Sequence, residues 1–289
     1  MPKPANGGKE LAVATDQQSS IVRTLQGVSV LVEALTANLG EGKLSVFKLP
    51  RLKIPAGGGT TFEFETPTGN VSAQELRGVV LRTQTARAMY KTAGAVEGTP
   101  PDCASTDGKA GYGDRGLPVD AATPGGPFAC KHCPHAQFKT AVGADGKPGR
   151  GCKCKEREFQ LVLLESGGML PYFFNLPPTS VGASRAWRTN VAMTLGRYWH
   201  VLTSITLEKT QGDGVTYSRA VFRTIENLTP DQIASVDTYI DSLDEFLLSL
   251  TVEEAFVEPP PNGADTSTTS EPAPPAAPEP APIAETPPA

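Results

Sequence analysis

The pair Cys130-Lys-His-Cys133, inside FACKHCPH at residues 128–135, sits in a stretch with too little apolar content to fold around itself. The segments at 94–127 and 143–151 are dominated by Gly, Pro and Asp, and three further cysteines, Cys103, Cys152 and Cys154, lie on either side of the pair. Such a stretch needs a staple before it can order. In a C-x2-C pair the backbone between the thiols folds around one ion and supplies two of zinc's four tetrahedral ligands. Cys103, with 26 residues between it and Cys130, offers a third. The fourth comes from Cys152 or Cys154, which follow Cys133 after 18 and 20 intervening residues. Thiols at i and i+2 rarely bind one ion together, so one of them should be spare. A variant set replaces one cysteine by His132 or His135. A thioredoxin-like redox pair would need a flanking βαβ pattern, which this stretch lacks. A cysteine–histidine nucleophile would need an orienting acid, and none is suggested nearby. The expectation is one structural Zn2+.

An odd number of cysteines, five, suits metal ligands and thiols in a reducing compartment better than a disulfide framework. No run of about 18 apolar residues occurs, and the first twenty residues lack the apolar centre of a signal peptide. These features lead to the expectation of a soluble cytoplasmic protein with no membrane partner.

The net charge of −5 is unevenly spread. Residues 251–289 hold seven acids and no base, whereas residues 77–160 hold 13 bases against eight acids. A basic middle suits a polyanionic partner, and an acidic end suits protein partners.

Residues 1–20 are polar and aperiodic and are expected to be disordered, as is the Pro/Ala/Glu-rich tail at 253–289. Ile21, Leu25, Val28, Val32, Leu35 and Leu39 step by three and four, predicting a helix over 21–39. Ile233, Val236, Ile240, Leu243, Leu247 and Leu250 repeat that stepping behind Thr229-Pro230, predicting an acidic helix within 229–252, packed on its own domain. Period-2 patterns predict strands at 60–66, 79–91 and 159–165, then 170–176 beyond the Gly167-Gly168 break, and a hairpin of 201–209 with 216–225. A helix is predicted over 184–197. The fold class is therefore mainly β with flanking helices. A helix between the third and fourth main strands is the chain order of the OB-fold, a partly open five-stranded barrel that binds oligonucleotides. That domain would span 21–228 and carry the cysteine-rich, zinc-ribbon-like insertion at about 98–156.

With the insertion between its second and third predicted strands, the chain resembles tailed-phage single-stranded DNA-binding proteins whose OB domain carries a zinc-bound insertion. The residues that carry the likeness begin with 79–91, Pro101-Asp-Cys103 with Ser105, Asp107 and Gly108, and Cys130-x-x-Cys133. They continue with Cys154-Lys-Glu-Arg157 leading into FQLVLL, and Leu176-Pro-Pro-Thr-Ser180 before the helix. The likeness spans residues 58–228. In that pattern one cysteine followed by a basic pair enters the strand, which favours Cys154 as the fourth ligand beside Cys103, Cys130 and Cys133, with Cys152 the alternative. The resemblance implies action in phage DNA replication or recombination in the host cytoplasm. Such proteins often end in a dense acidic tip, whereas this tail is sparsely acidic, a departure that argues against recruitment through the tail and leaves the acidic helix of the C-terminal region as the substitute surface for replication or recombination partners.

Single strands are held by basic grooves that follow phosphates and by aromatic rings on which bases stack. The candidates for contact are Arg82, Arg87, Tyr90, Lys91, Lys155, Arg157, Tyr172 and Arg219. Trp187 and Trp199 fit core positions better. The function expected is sequence-tolerant binding of single-stranded DNA; the alternative is a zinc-stabilised structural or adaptor protein that binds another protein through its acidic C-terminal helix. No enzyme is expected, since the chain has no phosphate-cradling GxxxxGK[ST] and no HExxH. Asp102, Asp107 and Asp114 are better explained as turn formers.

Overall fold

Alternating apolar residues build the sheet that organises this chain, and their two faces settle where each helix docks. The computed structural model describes Glu33, Ala34, Ala37, Asn38 and residues 43–247, apart from 67–68, 92–99, 114–124, 143–145, 167, 195 and 213–214. The chain divides into Met1–Val257 and Glu258–Ala289, and the second unit lies wholly outside the described residues. So do the N-terminal segment 1–20, the tail and most of the helix expected over 21–39, of which the four described residues are helical.

The strands are β1 (Arg51–Lys53), β2 (Phe62–Thr66), β3 (Gly69–Ala73), β4 (Glu75–Met89), β5 (Cys103–Ser105), β6 (Ala110–Gly113), β7 (Phe128–Ala129), β8 (Cys154–Leu164), β9 (Tyr172–Leu176), β10 (Val201–Gly212) and β11 (Val215–Asn227). Helix α1 (Pro178–Thr194) lies between β9 and β10, and α2 (Pro230–Phe246) follows β11. The order is β3-β2-β1-β9-β8-β4-β5-β6-β7, with β10 also paired to β4 and β11 to β10. β1 runs parallel to β9, which makes the sheet mixed. The sheet is not closed: among the described residues no ladder joins β11 to β9, and β1 pairs with the second edge of β9.

β4 is the spine. Its 15 residues pair with β8 along most of their length, with β10 at the start and with β5 at the end. A register shift between Val80 and Arg82 marks a bulge at Leu81. Val79, Leu81, Ala86 and Ala88 enter one core cluster with Phe159, Leu161, Phe173 and, from α2, Val236, Tyr239 and Leu243. Val80 and Leu76 enter the other with Val162, Tyr172, Phe174, Phe222 and, from α1, Trp187 and Val191. Each helix thus covers one face.

α2 starts as its sequence requires. Thr229 accepts from the Gln232 backbone while the Gln232 side chain accepts from the Thr229 N–H, and Pro230 takes the first turn. Its apolar face packs on its own domain, with Val236, Tyr239, Leu243 and Leu247 buried and Ile233 and Ile240 partly buried against the same cluster. α1 begins six residues earlier than the apolar stepping indicates, because Pro178 is well placed in a first turn where no N–H is needed. Among the described residues no helix is long and apolar enough to cross a membrane.

Gly78 is required by close packing. A β-carbon there would press on the Leu163 carbonyl and the Leu164 Cα across the β4–β8 ladder. Gly78→Ala is expected to destabilise the domain by about 1–3 kcal/mol, read from the urea midpoint at unchanged m-value.

Candidate metal centre and nucleic-acid interface

The insertion is fastened to the spine by cysteines. Met89, the last residue of β4, stands opposite Cys103 on β5 and opposite Cys154 on β8, so one rung of three strands carries both thiols on one face. β5 pairs with β6 and β6 with β7, which brings Cys130 to the same place. The Cys130 N–H donates to Lys109 O at 2.8 Å, and Cys133 N–H donates to Cys130 O at 3.2 Å, closing the knuckle turn. Gly111 leaves the space: a β-carbon there would lie 3.3 Å from Cys103 Sγ and 3.4 Å from Cys130 Sγ.

Cys103, Cys130, Cys133, Cys154 and His135 line one cavity together with Arg87, Met89 and Phe128. Its volume is about 20 Å3, room for a single small ion or water. Cys152 and His132 do not line it. No cysteine is in a disulfide. Among the described residues no three His, Cys, Asp or Glu side chains have closed to ligating range of one point. Burial, followed by the neighbouring Cys133, pushes the Cys154 thiol up to about 12, with Arg87 opposing.

Asp107 sets the β5–β6 turn that presents Cys103. Its Oδ1 accepts from Ala110 N–H at 2.9 Å, Lys109 N–H at 2.7 Å and Ser105 Oγ at 2.9 Å. The backbone donors of Ala110 and Lys109 hold its carboxyl below the usual range. Asp102 instead bridges the ends of β4 and β5, accepting from Lys91 N–H at 2.7 Å. Asp114 lies outside the described residues.

The expected DNA contacts separate into three groups. Tyr90, Lys155 and Arg157 gather at the insertion end of the β4–β8 ladder: Lys155 is opposite Ala88 and Arg157 opposite Ala86, while Tyr90 packs against the same cluster as those alanines. Lys155 and Lys91 are exposed, and Lys91 follows Tyr90 directly. Arg82 and Arg87 are engaged by the fold, whereas Arg219 sits in an exposed ion pair on the β10–β11 hairpin. Arg82 Nη2 donates to Ile240 O on α2 at 3.0 Å, Arg87 pairs with Glu156 at 3.3 Å, and Arg219 pairs with Glu208 at 3.1 Å. Tyr172 corrects an expectation. It is fully buried, its hydroxyl donates to Glu65 O at 3.2 Å, and its ring meets Phe64 edge-on, so no base can stack on it. The tryptophans are structural, as their spacing suggested: Trp187 stacks on Phe222, and Trp199 Nε1 donates to Asp237 at 2.9 Å.

Two groups of residues escaped sequence reasoning. Under α1, Glu158 is fully buried and pairs with Arg188, while accepting from Ser184 Oγ and Gln160 Nε2. Arg188 also donates to Thr83 at 3.2 Å. The signal was there: a Glu at an inward position of β8, matched by an Arg one helical turn beyond Ser184. The other is Phe138, a lone aromatic in a polar loop. No protein-family model, curated protein or solved structure matches this chain. Its own side chains therefore carry the functional assignment.

Proposed function

We propose that this protein binds single-stranded DNA without sequence preference, in replication or recombination, as the tailed-phage proteins it resembles do, and that Cys103, Cys130, Cys133 and Cys154 hold one structural zinc ion. The observation that carries the proposal is the convergence of Tyr90, Lys155 and Arg157 one to three residues from the Cys103–Met89–Cys154 rung. The pairing order β9-β8-β4-β10-β11, with α1 between β9 and β10, supports an OB-like core opened at its β9 edge.

In this account the ion supplies thiolate coordination and nothing catalytic. It would offset the cost of burying thiolates side by side and lock the insertion to β4. The strand ends are thereby fixed, so Lys155 and Arg157 meet phosphates while Tyr90 offers a ring to a base.

Labelled oligo-dT should raise fluorescence anisotropy on addition of the full chain, and excess duplex should compete poorly. Lys155→Glu with Arg157→Glu should weaken binding at least tenfold and flatten the dependence of log K on log salt by about 1.4, as expected for two lost phosphate contacts. A double variant that binds with the wild-type affinity and slope would remove this surface from the proposal.

A further inference from the structure

Phe138 is 81% exposed, more than any other large apolar side chain among the described residues. Its turn is nevertheless firmly built. Lys139 N–H donates to Arg150 O at 3.1 Å, and Thr140 and Ala141 N–H both donate to Gly151 O, at 3.1 and 3.0 Å. Thr140 Oγ1 donates to Gln137 O at 2.7 Å and accepts from Lys153 N–H at 2.9 Å. Lys139 holds a left-handed backbone, φ 68°, that a non-glycine residue adopts only at a cost. A rigid, strained turn that holds a phenyl ring in water contributes nothing to a core.

Its surroundings are cationic. Residues 125–155 contain Lys131, Lys139, Lys147, Arg150, Lys153 and Lys155 against the single acid Asp145. Lys131, Lys139, Arg150 and Lys155 are exposed, and among the described residues none of these four is in an ion pair. The turn also adjoins the ladder end, because a β-carbon on Gly151, whose carbonyl holds the turn, would lie 3.3 Å from Lys155 Nζ.

We infer that the turn around Phe138 is a second single-strand contact, in which an unpaired base stacks on the Phe138 ring and Lys139 and Arg150 receive the flanking phosphates. A ring flanked by cations fits a strand whose base faces are open; a duplex hides those faces in its own stack. The site rests on the single-strand reading above and extends the path from Tyr90, Lys155 and Arg157 outward onto the insertion. The cysteine-rich segment then has a binding role as well as a clamping one.

The test uses the full chain with its metal content measured. Phe138→Ala should lower oligo-dT affinity by about 5–150-fold, the worth of one base stack, at unchanged zinc content. Phe138→Trp should restore binding, with a DNA-dependent fluorescence quench beyond that of the wild type. Met193→Ala, which removes an equally exposed apolar side chain on α1, should leave affinity unchanged. If the wild type binds and Phe138→Ala binds equally well, the second contact is overturned while the ladder surface stands. If the wild type fails to bind oligo-dT, the single-strand reading itself falls and this site with it.

Discussion

Cys130→Ser is expected to reduce bound zinc from about one equivalent to near none and to unfold residues 100–155, while the β8–β11 body stays folded. The asymmetry follows from what holds each part. β8, β9, β10 and β11 are anchored in two apolar clusters by residues such as Leu163, Phe174, Ile205 and Phe222. Among its described residues the insertion contributes only Ala104 and Cys130 to the buried apolar set. Structural zinc in small domains supplies apparent binding energies of about 10–16 kcal/mol, more than so small an apolar set could replace. Hydrogen exchange should therefore show protection lost at Cys130, Cys133 and Ala110 N–H and retained along the β10–β11 ladder. Cys152→Ser should leave zinc and protection intact, because that thiol lies outside the cavity. A wild-type protein without zinc would end the metal claim, and a Cys152→Ser variant that loses the metal would reassign the fourth ligand.

Glu158→Ala should cost about 3–5 kcal/mol, the largest loss expected from one side chain in the body of the domain. Glu158 is fully buried between β8 and α1, and its removal leaves the Arg188 guanidinium, Ser184 and Gln160 without their shared acceptor. Removing both charges tests the cause. Glu158→Leu with Arg188→Met should recover much of the loss, since an apolar pair of similar volume has no stranded charge to desolvate. A double variant as unstable as the single one would mean that packing, not the uncompensated cation, sets the cost.

Patterns that repeat over several residues were legible in the sequence. The alternation around Phe62 and Phe64, the long run into β4, the β10–β11 hairpin and the helix behind Thr229-Pro230 all appear where their periods put them. β1, β5, β6 and β7 have two to four residues each and no period of their own; partner strands define them. β1 was also missed as a sheet strand, because nothing local in Arg51–Lys53 announces a parallel pairing with β9. That same pairing buries Tyr172: β9 lies between β1 and β8 with both faces covered, so Tyr172 and Phe174 enter one cluster and Phe173 the other. Cys103, Cys130 and Cys133 were readable together from the C-x2-C pair and its flanking cysteine, whereas spacing left Cys152 and Cys154 open and only the resemblance favoured Cys154. The role of Arg82 was not legible, because a basic residue on a strand looks the same whether it faces phosphate or a helix carbonyl. Phe138 was missed for the opposite reason, since a single aromatic in a loop carries no period at all.

The measurement that bears most directly on this account is the affinity of the full, zinc-loaded chain for labelled oligo-dT across a salt series. The account predicts clear binding at low salt and a log K that falls linearly with log salt, by about 0.7 for each phosphate contact. No binding at low salt, or tight binding indifferent to salt, would contradict it.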